Sequence, residues 1–303
     1  MKSLRIDVVG VAFILLWSSG YVVGALATDV MPPLTVMLWR FVFAVVALGA
    51  IAALRREPWP RGRELWGLAG IGVLMFALQF GGLYTALSEG MPAGTVAMIA
   101  CSSPLLVAAA GAALGWERLS PRRWVGIGLG VIGVIVTLSD RVGRPPSLAA
   151  LLWTLLGLAG LASGTLLHGR LRAQSGPTAQ GTVETAAGLV VMAVWAPLAG
   201  SLAIPRSAQA IESFAWLAVA GSIVAPLMLF SLIRRRGATR ASTLLFAVPG
   251  VTVLASWPIL GTPIGPLTVV GLVIVAVGLW LARQREARPL DFARKLTVVQ
   301  QAK

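Results

Sequence analysis

Few ionisable side chains fall inside the long apolar runs of this 303-residue chain, and Arg40, His168 and Glu184 are the ones that do. An ionisable group in hydrocarbon is costly, so each is a candidate for function before any other residue. Arg40 offers a fixed positive charge suited to a carboxylate. Glu184 and His168 can be tuned into the physiological range, so either could carry a proton. The plainer reading, favoured for both, is snorkelling to the membrane surface beside Arg170 and Arg172. Neutral candidates stand beside these. Trp17-Ser18-Ser19 sets an indole next to two hydroxyls, an apolar wall with hydrogen-bond handles. The alternative there is helix packing, in which small residues allow close approach. Ala162-Ser163-Gly164 is a partial counterpart, so Ser163 joins the cavity candidates. Gln79 must find a partner or water if it lies in a membrane, either in a cavity or in structural hydrogen bonding. Tyr84, five residues on, is turned from it by about 140° on a helix, so the two are not expected to share one face.

Several chemistries are excluded. Ser163 and His168 have the residue types of a hydrolytic dyad, but on one helix they too diverge by about 140°. The eleven acids are scattered and mostly sit at span ends, so they supply no metal cluster for an enzyme, and no cofactor or nucleotide-binding segment is apparent. The single cysteine, Cys101, can form neither an internal disulfide nor a multi-cysteine metal site. A channel or receptor is the remaining rival, yet no ring of charges or filter-like segment is visible.

The elements that must position the candidates follow from composition. Hydrophobic residues make up 57% of the chain and charged residues 12%, against about 25% charged in soluble domains. Ten apolar spans emerge, at about 8–27, 33–54, 66–88, 92–114, 122–139, 148–169, 181–203, 213–233, 239–260 and 266–282, each near the length that crosses a bilayer. Prolines mark many of their ends. The net charge of +14 sits in short loops between spans, so its partner is the anionic inner leaflet of the lipid bilayer and not nucleic acid. With both termini in the cytoplasm, the outer loops hold only Arg141, Arg144 and Arg206, and every other Lys or Arg except Arg40 falls inside. Lys2 and Arg5, followed by an apolar run to Ala25-Leu26-Ala27, have the form of a cleavable leader. That run is long enough to span, and its removal would leave nine helices, so it is read as the first membrane helix.

The chain also repeats itself. Pro104, Pro121, Gly126 and Gly133 recur 145 residues later as Pro249, Pro266, Gly271 and Gly278. Five spans per half force the second copy upside down relative to the first, the usual build of a secondary transporter with its site at the bilayer midplane. The expected fold is therefore an all-α membrane protein of ten transmembrane helices in two inverted five-helix repeats, 1–141 and 142–284, followed by a basic tail, 285–303. Pro104 and Pro249 interrupt the fourth and ninth spans at equivalent points, as hinges for alternating access or as static bends. Gly126, Gly130 and Gly133 form a small-residue face matched by Gly271 and Gly278; packing within the chain is favoured over a homodimer contact.

These residues carry a resemblance. The stretch Gly237-Ala-Thr-Arg-Ala-Ser-Thr-Leu-Leu-Phe-Ala-Val-Pro249, then Leu260-Gly-Thr-Pro-Ile-Gly-Pro266 and Gly271, resembles the second repeat of EamA-type proteins of the drug/metabolite transporter superfamily. Pro92 to Pro104, Trp116-Glu117-Arg118-Leu119-Ser120 and Gly126 resemble the first, Leu16-Trp17-Ser18-Ser19-Gly20 the opening helix, and Arg40 the second helix. The resemblance covers nearly the whole chain. It implies a bacterial inner-membrane permease that moves small metabolites, often outward, through a cavity between the two halves. One departure is Thr262, where the family has an acid; Glu117 keeps the equivalent place in the first repeat. The expected substrate is small, partly apolar and amino-acid-like, with uptake by the same fold as the alternative.

Overall fold

The computed structural model describes residues 8–116, 119–140, 146–236 and 244–282. Glu117, residues 237–243 of the second-repeat motif, Arg141, Arg144 and the tail from 285 to 303 lie outside them. Among the described residues every regular element is helical. Ten helices stand where the apolar spans were read: α1 (Val8–Val30), α2 (Pro33–Leu54), α3 (Arg63–Ser88), α4 (Ala93–Ala113), α5 (Pro121–Leu138), α6 (Leu148–His168), α7 (Pro177–Ala199), α8 (Ala208–Leu229, its helix running on to Arg236), α9 (Leu245–Leu260) and α10 (Pro266–Ala282). The first eight are long and apolar enough to cross a membrane, and α9 and α10 are shorter apolar helices.

Local chemistry sets the ends. Pro33, Pro121 and Pro177 open α2, α5 and α7 in the first turn, where a missing N–H costs nothing. Ser147 and Ser207 cap α6 and α8 by accepting from the N–H of Ala150 and of Ala210, each worth about 1 kcal/mol. Gly261 closes α9 in the left-handed conformation, φ 66°, which a side chain would strain.

The packing displays the inverted repeat. Helix α1 lies against α8 and α9, and α6 lies against α3 and α4, which is the same relation with the halves exchanged. The pairs α2–α7, α4–α9 and α5–α10 each join equivalent helices of the two halves. Their contact is closest along α5–α10. A Cβ on Gly126 would sit 2.6 Å from the carbonyl oxygen of Gly278, and one on Gly271 would sit 2.5 Å from that of Gly133. The glycine face is thus spent inside the chain. The two ends of α10 are held by residues at the two ends of α5: Asp140, just past it, accepts from the N–H and hydroxyl of Thr268, and Arg123, in its first turn, donates from Nε to the Ala282 carbonyl. An acid at the N-terminus and a base at the C-terminus both complement the helix dipole.

Irregularities are duplicated as well. Helix α3 contains a π-helical stretch at Val73–Leu78, and α8 has one at Leu217–Val224, the same position 145 residues later. Helix α4 breaks at Ser102, two residues before Pro104. Helix α9 changes from a 3-10 turn to α-helix after Ala247, two residues before Pro249.

Loop contacts repeat this mirroring with different chemistry. At the end of the bundle carrying Arg55, Arg61 and Arg170 (the basic end), Glu57 accepts from the N–H groups of Thr178 and Ala179 and from the Thr178 hydroxyl. Glu64 accepts there from the N–H groups of Gln174 and Ser175 and from the Ser175 hydroxyl. At the far end, Thr35 donates to the Ser201 carbonyl, Trp39 to that of Leu202, and Gln209 to that of Leu26. The outer surface is apolar, with Val46 on α2, Val131 and Ile135 on α5, Leu198 on α7, Trp257 on α9 and Val273 on α10 exposed. An apolar belt this continuous is what a bilayer covers.

Candidate functional site

The interior face of α1 locates the site. Phe13, Trp17, Gly20, Gly24 and Ala27 recur at helical spacing on one side. Phe13, Gly24 and Ala27 are buried, while Trp17 and Gly20 between them are only half-buried. A Cβ on Gly20 would meet nothing within 4 Å. The middle of α1 therefore borders open space, although α2, α3, α4, α8 and α9 all pack on this helix. Tyr21, the residue of α1 after Gly20, packs on the buried cluster that includes Leu83, Val96 and Ala100.

Arg40 is the one charge of α2 that reaches this region, and it is 6% exposed. Its Nε donates to Ser222 Oγ at 2.7 Å and its Nη1 to the Tyr84 hydroxyl at 3.0 Å. Tyr84 donates to the Gly20 carbonyl at 3.2 Å, and its ring rests against Gly24. The guanidinium carbon lies 4.8 Å from the Phe80 ring centre, a cation–π arrangement. Phe80 belongs to an aromatic cluster with Phe41, Phe76 and Tyr84. Ser222 lies in the π-helical stretch of α8 and donates to the Leu217 carbonyl five residues back. Such stretches recur at functional sites. Here it turns Ser222 and Gly221 toward Arg40.

His168 and Glu184 form a second polar pair toward the basic end. Glu184 Oε1 lies 3.1 Å from His168 Nε2, with Glu184 buried and His168 about half-exposed. The ionisable residues thus divide into two groups. Arg40 meets neutral partners, and Glu184 meets the histidine. Ser163 does not approach His168; its hydroxyl donates to the Ala159 carbonyl of its own helix at 2.6 Å.

The remaining candidates separate by what they touch. Ser18 donates to the Val248 carbonyl and binds α1 to α9, while Ser19 accepts from the Trp216 indole and binds α1 to α8. Trp17 lies tilted against Phe13 with ring centres 5.3 Å apart and, like Met228 and Leu244, packs on the buried pair Phe13 and Leu232. Gln79 has its backbone pressed on Gly157 and Gly160 of α6, and its half-buried carboxamide has no hydrogen-bond partner among the described residues. Sequence reasoning did not foresee that Arg40, Tyr84 and Ser222 converge. Ser222 carried no signal beyond a hydroxyl in an apolar span, and its partner lies 182 residues away. A separate crevice of about 50 Å³, bordered by Thr95, Thr137, Ser256 and Thr268, opens between α4, α5, α9 and α10. It has water-sized room and shares no helix with Arg40 or Tyr84.

A ten-helix apolar bundle of inverted repeats, with a buried arginine and its hydroxyl partners beside an opening on α1, has the form of a membrane transporter. The chain belongs to the EamA-like transporter family, whose pattern matches residues 4–139 and again residues 148–284. It is 30% identical over 270 residues to the "Uncharacterized inner membrane transporter YedA" of Escherichia coli (strain K12), covering 88% of this chain and 85% of the relative. It is 26% identical over 295 residues to the "Probable amino-acid metabolite efflux pump" of the same organism, covering 92% and 95%. A crystal structure at 18% identity superposes with a TM-score of 0.61 over 90% of this chain and 94% of that one, a likeness of fold alone. The protein is thus an integral inner-membrane transporter of the EamA family.

Proposed function

We propose that this transporter exports small, partly apolar metabolites of amino-acid type by alternating access, with both termini in the cytoplasm. The observation that carries the reading is the open space at the middle of α1, bordered by the Arg40–Tyr84–Ser222 cluster and an aromatic wall. A polar anchor beside apolar rings suits a solute with both characters. The duplicated breaks at Ser102 and Ala247, each just before a proline, are natural places for two halves to flex about a shared centre. The efflux pump among the relatives supports the outward direction, and the distribution of Lys and Arg supports the orientation. The driving force is the solute gradient or protons.

The test is a metabolite profile of the medium around cells producing the native protein or a Trp17→Ala variant at equal membrane level. Export predicts a few compounds that accumulate outside with the native protein and fall with the variant. Selective depletion from the medium would replace export by uptake, and identical profiles would remove the reading.

A further inference from the structure

The Arg40 cluster is incomplete as a structural unit. A guanidinium has five N–H donors, and here Nε and Nη1 have partners in Ser222 and Tyr84. Nη2 has none among the described residues, and no carboxylate there lies within ion-pair distance of Arg40. Nor is Nη2 among the sealed side-chain atoms of the described residues that lack a hydrogen bond. What faces Nη2 is Gly221, where a Cβ would stand 3.2 Å away, so the absence of a side chain keeps that approach clear. A buried cation held by two neutral hydroxyls, with an aromatic ring on one face and an open edge, lacks its counter-charge.

We infer that Arg40 is the anchor for a carboxylate of the transported solute. This rests on the transporter reading above and narrows it to solutes with one carboxylate and an apolar portion. The carboxylate takes the open Nη2 edge, with Ser222 and Tyr84 fixing the plane of the guanidinium, and the apolar portion lies along Phe80. Planar fork geometry is what distinguishes arginine from lysine in this role. The neutral amide of the same acid offers no charge to the guanidinium and is rejected.

The test uses purified full-length protein and three probes of one skeleton: 4-methylpentanoate, its neutral amide, and L-leucine. Thermal melting is read over a probe titration for the native protein and for Arg40→Gln, Arg40→Lys and Gly221→Ala. Both carboxylates should stabilise the native protein with saturation, and the amide should not. The midpoint should rise at least about tenfold in Arg40→Gln and Gly221→Ala, as expected for loss of a charge-assisted contact, and less in Arg40→Lys. Gly221→Ala keeps the charge and both hydroxyl contacts, so it distinguishes a blocked binding edge from a broken structural pin. Equal response to acid and amide, unchanged midpoints in both Arg40→Gln and Gly221→Ala, or no response to either carboxylate overturns the anchor. The transporter reading is judged separately by the medium profile: exported compounds that all lack a carboxylate would sink the anchor and leave export standing.

Discussion

Replacing Gly133 with alanine tests how the two repeats are held together. The added Cβ would lie 2.8 Å from the Gly271 carbonyl oxygen and from the Val275 N, and 2.7 Å from Val275 Cγ2. Ordinary contact begins near 3.4 Å, so α5 and α10 must separate locally by about 0.6 Å. Two of the three atoms are backbone and cannot rotate away. Gaps of this order forfeit a quarter or more of the dispersion energy of each contact along the line, and overpacked sites of this kind cost about 1–3 kcal/mol. For a chain of this size that lowers the melting temperature by roughly 2 °C per kcal/mol. Gly128 is the control: it lies on the same helix five residues earlier, and its added Cβ meets nothing within 4 Å. Alanine there should cost nothing and could gain up to about 1 kcal/mol in helix propensity. The measurement is the melting of both variants in one detergent, followed by tryptophan fluorescence. A Gly133→Ala protein as stable as the native one, or a Gly128→Ala protein that falls equally, would refute the account of the α5–α10 contact.

Two further outcomes follow from named contacts. Glu57→Ala removes the acceptor for two N–H groups and a hydroxyl at the start of α7, so it should cost about 1–2 kcal/mol in a melting experiment, while the exposed Glu212→Ala should not. Gln79→Leu should impair transport and leave membrane insertion intact, because the carboxamide has no partner to lose among the described residues; unchanged transport kinetics would take Gln79 out of the solute path.

The fold was legible because its signals are local and repeated. Span length, proline at helix starts and the recurrence of Pro104 and Gly133 at Pro249 and Gly278 each act through backbone geometry. The glycine face of α5 could be assigned to packing on the same grounds. The site was legible only in pieces. Arg40 stood out because a charge in hydrocarbon always does, and Tyr84 because a phenol carries a polar handle. Ser222 and Gly221 did not stand out, since their role arises where α8 meets α2 across a long sequence separation. The π-helical stretches in α3 and α8 were invisible as well. The register of an apolar helix is set by what packs on it, and nothing in Val73–Leu78 or Leu217–Val224 departs from an ordinary apolar run. Ser18 and Ser19 show the opposite case. Their composition suits a cavity, while their hydrogen bonds tie α1 to α9 and α8.

Duplication supplies this protein with the same geometry twice, so the chemistry must come from positions where the copies differ. Arg40 corresponds to Thr185 at the 145-residue offset, and Glu184 corresponds to Trp39. One half thus contributes a buried cation and the other a buried acid, on equivalent helices and at mirrored depths, each facing its own partners. The loop contacts diverge in the same sense. Glu57 and Glu64 hold the basic end through carboxylates on backbone N–H groups, and their counterparts, Leu202 and Gln209, meet α2 and α1 at the far end through neutral groups. Charge-assisted hydrogen bonds are roughly twice as strong as neutral ones. The two ends of a nearly symmetric bundle are therefore fastened with unequal strength, and a transporter needs such an inequality if its inward-open and outward-open states are to differ in energy when the backbone alone would make them alike.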